Sequence, residues 1–171
     1  MRLLSSIILL FTHLVVSVTS SGTSFDLPKT NPSIITRANG SPVPGQNPFK
    51  FCSDPSSYSF KVDKLDLIPY PPKAGQNTTI KASITFLKPL KNGANVKVNV
   101  SAGNVNVLSK TFDICQEVKK VNLKCPLEKK VDFETKVDLK GVPPGTYQLS
   151  AKFYTENGEE VGCITASNIK L

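Results

Sequence analysis

The stretch Thr78-Thr79-Ile80-Lys81-Ala82-Ser83-Ile84-Thr85-Phe86 decides the fold. Ile80, Ala82, Ile84 and Phe86 take every second position, and Thr79, Lys81, Ser83 and Thr85 fill the places between. Successive side chains of a strand point to opposite faces, so this pattern specifies a strand with one face buried and one in water. The same period of two recurs outward from it. Val96, Val98 and Val100 alternate with Asn95, Lys97, Asn99 and Ser101, and Val131, Phe133, Val137 and Leu139 alternate with Asp132, Glu134, Lys136 and Asp138. Tyr147, Leu149, Ala151 and Phe153 alternate with Gln148, Ser150 and Lys152. Turn signals separate the runs: Pro69-Tyr70-Pro71-Pro72 with Gly75, Lys91-Asn92-Gly93, Gly103-Asn104, Gly141-Val142-Pro143-Pro144-Gly145 and Asn157-Gly158. This spacing predicts an all-β domain of about seven or eight antiparallel strands with no long helix. A two-sheet antiparallel β-sandwich buries one face of every such strand. The runs at Phe60 to Ile68 and Asn104 to Ile114 alternate less regularly, which predicts bulges or edges there.

The ends of the chain read differently. Arg2 precedes a largely apolar run from Leu3 to Val18 and the small polar stretch Thr19-Ser20-Ser21, the order of a secretory signal peptide over residues 1–20. Ser5, Ser6, Thr12 and His13 interrupt the run, which falls short of the ~20 apolar residues a membrane-spanning helix needs. Residues 21–48 carry five prolines and no sustained apolar period, so they are expected to be a disordered leader or propeptide. Residues 49–171 are then one domain of ordinary size. Removing the signal removes the single histidine, His13, and leaves 20 basic against 13 acidic side chains. The expected location is the secretory pathway, either secreted or in a vacuolar or lysosomal lumen.

Four cysteines behind a signal peptide imply two disulfides, with three connectivities open. Cys115 and Cys125 are close enough for a local staple, which would leave Cys52 with Cys163. The spacings lack a close CxxC pair and no histidine remains, so no metal site is expected. Asn77-Thr78-Thr79 and Asn99-Val100-Ser101 satisfy the N-glycosylation pattern, whereas Pro32 blocks Asn31.

Little in the chain points to catalysis. A nucleophilic triad usually needs a histidine base, and the mature chain has none. Asp132, Glu134 and Asp138 could be paired acids, but their even spacing places them on the solvated face of one strand. The ten glycines are scattered singly at turns, with no phosphate loop or dinucleotide fingerprint, so no cofactor is expected. From Phe49 onward every basic residue is lysine, which speaks against nucleic acid. The lysines are densest around Cys125, and Lys119, Lys120 and Lys124 are candidates for transient contact with an anionic membrane surface.

Several blocks together resemble a known family: Pro48-Phe49-Lys50-Phe51-Cys52-Ser53-Asp54-Pro55, Asp113-Ile114-Cys115, Lys124-Cys125-Pro126-Leu127-Glu128-Lys129, Val142-Pro143-Pro144-Gly145-Thr146-Tyr147, and Tyr154-Thr155-Glu156-Asn157-Gly158 leading to Cys163. Over Pro48 to Leu171 the chain resembles the fungal phosphatidylglycerol/phosphatidylinositol transfer proteins of the ML lipid-recognition family. That family includes the Niemann-Pick type C cholesterol-binding protein. The resemblance implies an immunoglobulin-like sandwich whose sheets splay around an apolar cavity, and the pairings Cys52 with Cys163 and Cys115 with Cys125. It implies a non-enzymatic carrier that encloses a phospholipid, and nothing in the sequence points to more than a monomer. A sterol carrier of the same fold and a non-lipid adhesion or structural sandwich are the alternatives, and the absence of a further cysteine between Pro69 and Lys73 favours the phospholipid branch. Candidate cavity residues on the inward faces are Ile84, Phe86, Val98, Val100, Leu108, Phe112, Phe133, Val137, Leu149 and Phe153.

Overall fold

Thr78 to Phe86 lies in the central strand of a three-stranded sheet in the computed structural model, which describes residues 40–171. Eight strands follow in order: β1 (Lys50–Phe51), β2 (Phe60–Ile68), β3 (Asn77–Leu90), β4 (Asn95–Ala102), β5 (Val105–Asp113), β6 (Leu127–Asp138), β7 (Thr146–Tyr154) and β8 (Glu160–Lys170). One short helix, α1 (Ile114–Lys119), joins β5 to β6. The strands form two antiparallel sheets, β2-β3-β6 and β1-β8-β7-β4-β5. This is the expected all-β, two-sheet sandwich.

Both irregular runs carry the expected breaks. The register of β2 on β3 shifts between Val62 and Lys64, and β5 slips against β4 between Val100 and Ser101. An extra residue re-aims the side chains beyond it, which is why simple alternation fails in both segments. β5 is also the edge of its sheet, and only Phe112 of its nine residues is better than exposed.

Helix α1 starts where Asp113 caps it, its Oδ1 accepting the Gln116 N–H at 3.0 Å. Ile114 and Val118, one turn apart, face the space between the sheets. The Cys115–Cys125 disulfide ties the helix to the loop behind it, and Cys52–Cys163 ties the start of the domain to β8. Their Cα separations of 5.6 and 5.4 Å are those of ordinary bridges.

The aromatic core lies toward the α1 end. Phe60 is its hub, with ring centroids 5.2 Å from Phe153, 6.0 Å from Tyr58 and 6.3 Å from Phe86. Edge-on and tilted contacts of this kind contribute about 0.5–1.5 kcal/mol each beyond the area they bury. The buried Tyr58 hydroxyl donates to the Cys163 carbonyl at 3.0 Å, so its polar end has a partner.

The boundary expected at Phe49 needs correcting. Residues 41–47, assigned from composition to a disordered leader, form a strap across one edge of the sandwich. Val43 is buried; its N–H donates to the Phe49 carbonyl, and the Phe51 N–H donates to Ser41. Further along, Pro44 and Gln46 accept from the Leu65 and Leu67 N–H groups at 2.8 and 2.9 Å. The strap thus binds β1 of one sheet and β2 of the other. Composition missed it because backbone groups at two strand edges, with little apolar burial, hold it in place. The signal peptide and the leader up to residue 39 lie outside the described residues. Among the described residues no helix is long and apolar enough to cross a membrane.

Candidate functional site: an apolar cavity between the sheets

The inward face of β3 places Ala82, Ile84 and Phe86 in one row. Ala82 sits between Leu65 of β2 and Phe133 of β6, and Phe86 sits opposite Phe60. On the other sheet, Phe153 of β7 and Ile164 of β8 face them. Leu90, Ile114, Val118 and Leu127 close the α1 end. These side chains enclose a cavity of about 230 Å³. Every residue in its wall is apolar, so a water inside would find no side-chain partner and the space favours hydrocarbon.

Of the ten residues expected from sequence, the structure brings Ile84, Phe86, Phe133 and Phe153 into this wall. The other six stand elsewhere. By register Val98, Val100 and Leu149 share the inward face of their sheet with Phe153, but they lie beyond the wall and are half-buried. Phe112 is half-buried on the edge strand, with the Lys110 ammonium 4.9 Å from its ring centre. Leu108 and Val137 are exposed. Sequence reading missed Phe60, Val62 and Leu65, because the β2 bulge hides their period. It missed Ile114 and Val118 because their spacing is helical.

The two edges of the sandwich are built differently. On the β1/β2 side the strap joins the sheets. On the other side β5 and β6 are not hydrogen-bonded to each other. From the cavity the inward face of the larger sheet continues through Val98 and Val100, and Val100 stands opposite both Leu149 and Leu108. This apolar track ends at the turn between β4 and β5, the end of the sandwich remote from α1.

Charged groups stay outside. Asp132 and Glu134 lie on the outward face of β6, where Glu134 pairs with Lys81 at 3.1 Å. On the same outer sheet face, Thr85 donates to Asp63 at 2.6 Å, and this bond with the Lys61 ammonium holds the Asp63 carboxyl below its ordinary range. The Lys64 ammonium and the Gln46 N–H do the same for Asp66. Among the described residues no group of three His, Cys, Asp or Glu side chains could hold a metal. Lys119, Lys120 and Lys124 stand on and after α1, and Lys120 is paired with Glu117 at 2.7 Å. Asn77 is exposed at the start of β3, and Asn99 lies on the outward face of β4, accepting from Ser109 at 2.8 Å.

Residues 46–169 match the family model described as ML domain. The phosphatidylglycerol/phosphatidylinositol transfer protein of Aspergillus fumigatus is 38% identical over 132 residues, covering 76% of this chain and 75% of that one. Its counterpart in Candida albicans is 33% identical over 162 residues, covering 94% and 84%. Among solved structures, a Niemann-Pick type C2 protein from the Japanese carpenter ant shares the fold, with a TM-score of 0.50 at 16% identity over 64% of this chain and 91% of that one. The order of the cysteine and proline blocks, the two-sheet architecture and these matches agree: the chain belongs to the ML domain family.

Proposed function

We propose that this protein is a lipid carrier that takes up a phospholipid of the phosphatidylglycerol or phosphatidylinositol type, shields an acyl chain between its sheets and releases it to another membrane without chemical change. The cavity with its wholly apolar wall carries the reading. Each methylene moved out of water contributes about 0.8 kcal/mol, so one ~16-carbon chain supplies roughly 13 kcal/mol before ordering costs. The names of the relatives support the head-group class. At about 230 Å³ the cavity is smaller than the roughly 300–1,000 Å³ of drug-sized ligand sites. An acyl chain therefore continues along the track past Val100, or it parts the sheets on their unstrapped β5/β6 side. The carrier works as a monomer in the secretory pathway or a vacuolar lumen, and the outward-facing Asn99 and Asn77 accept glycans clear of the cavity.

Native mass spectrometry of the secreted protein tests this reading. We expect a phospholipid adduct on the parent. Ile84→Trp, which adds bulk inside the wall, should lose the adduct while keeping the β-type circular dichroism spectrum. A sterol adduct would move the protein to the sterol carriers. A parent that carries nothing and takes up nothing from offered vesicles would instead be a closed sandwich of adhesion or structural type.

A further inference from the structure

The exposed large apolar side chains are not spread evenly over the domain. Ile68 and Tyr70 stand at and after the end of β2, Val105, Val107 and Leu108 at the start of β5, and Val137 near the end of β6. These six belong to the end of the sandwich remote from α1; a seventh, Leu87 of β3, 62% exposed, stands alone toward the α1 end. Val105 is 65% exposed and Val107 55%, and exposed apolar side chains gathered in one region mark an interaction site. Lys73, Lys136, Lys140 and Lys170 stand at the same end, against Asp138 as the acid among its loops and strand ends. The apolar track from the cavity runs to this end through Val100 and Leu108. The lysine cluster at 119, 120 and 124 lies at the opposite end, behind α1 and its disulfide.

We infer that the docking face is the end carrying the 69–76, 103–104 and 139–145 loops, and that its occupant is the surface of an anionic bilayer. The inference rests on the carrier reading above. Apolar side chains at loop tips and on an edge strand enter the interfacial zone, and the lysines beside them meet anionic head groups. Docked this way, the track opens into the acyl region, so a chain passes from membrane to cavity without crossing water. Docking by the lysine cluster would turn that opening away from the bilayer.

The experiment is co-flotation of the secreted protein with vesicles made of equal parts phosphatidylcholine and phosphatidylglycerol, at low and high salt. Val105→Glu/Val107→Glu, at two exposed positions, should lower the bound fraction about tenfold or more, since it replaces inserted apolar surface with charge. Tyr70→Glu should weaken binding in the same direction. Lys119→Gln/Lys120→Gln/Lys124→Gln should bind within about twofold of the parent, because distant lysines are screened beyond roughly 8 Å at physiological salt. Loss of binding in the lysine variant with parental binding of Val105→Glu/Val107→Glu overturns the assignment, as does parental binding by both, or no binding by the parent. Uptake of a monomeric fluorescent fatty acid from vesicle-free solution is measured on the same samples. Its absence in the parent refutes the carrier reading, whereas normal uptake with the wrong flotation pattern refutes the docking face alone.

Discussion

Gly162 shows how little room single positions leave. A Cβ placed there would sit 2.5 Å from two atoms of the Phe60 ring and 3.3 Å from the Tyr58 ring. Phe60 packs against Tyr58, Phe86 and Phe153, so one added methyl must displace the aromatic hub toward the cavity that Phe60 lines. Gly162→Ala should therefore destabilise the domain by about 1–3 kcal/mol, the usual cost of overpacking, as read from urea midpoints. A parental midpoint would show that the hub is looser than its contacts imply. Gly45 is constrained differently: its φ of +115° and the Leu65 carbonyl packed against it leave no place for a side chain. Neither demand was visible in the sequence, where both glycines sit in unremarked surroundings and the contacting residues are far along the chain.

At the scale of elements, the two bridges do unequal work because they close loops of different length. Cys52 and Cys163 are 111 residues apart, and Cys115 and Cys125 are 10 apart. In the chain-entropy account, the long loop contributes about 5 kcal/mol and the short one about 3 kcal/mol. Cys52→Ser/Cys163→Ser should lower the urea midpoint more than Cys115→Ser/Cys125→Ser. The short bridge, which holds α1 against the cavity, should have the larger effect on lipid retention at matched stability. Equal retention in both variants would separate α1 from closure of the cavity. The strands themselves were readable wherever alternation was clean, as in β3, β4, β6 and β7. They were less readable in β2 and β5, where a bulge breaks the period, and the strap at 41–47 could not be found by periodicity because it pairs through its backbone.

For the molecule as a whole, two carboxyls on the outer face of the smaller sheet give its stability an acid dependence. The carboxyls of Asp63 and Asp66 are held below the ordinary range by Thr85 and Lys61, and by Lys64 and Gln46, respectively. A depressed folded value means that their contribution is complete above the unfolded value near ~3.9 and is lost as pH falls through the folded value. The urea midpoint should hold steady from neutrality to about pH 5 and then fall on further acidification. Asp63→Asn/Asp66→Asn should flatten that fall, and an unchanged acid slope would assign it to other groups. Lys152, raised by Glu160, runs the opposite way, its contribution being lost as pH rises through its folded value.

The sequence by itself determined the class of fold, because a period of two with turn residues between the runs admits few other solutions. It also determined the kind of interior, since each regularly alternating strand has one apolar face. Which inward residues enclose space was decided only by the tertiary structure. Val100 and Ile84 both lie on inward faces of regular strands, yet Ile84 lines the cavity and Val100 lies on the track beyond it. The difference comes from which side chains meet across the sandwich: Ile84 shares its wall with Phe60 of β2, Ile114 and Val118 of α1 and Phe153 of β7, and Val100 does not. Those are contacts between residues far apart in the chain, and local alternation carries no record of them.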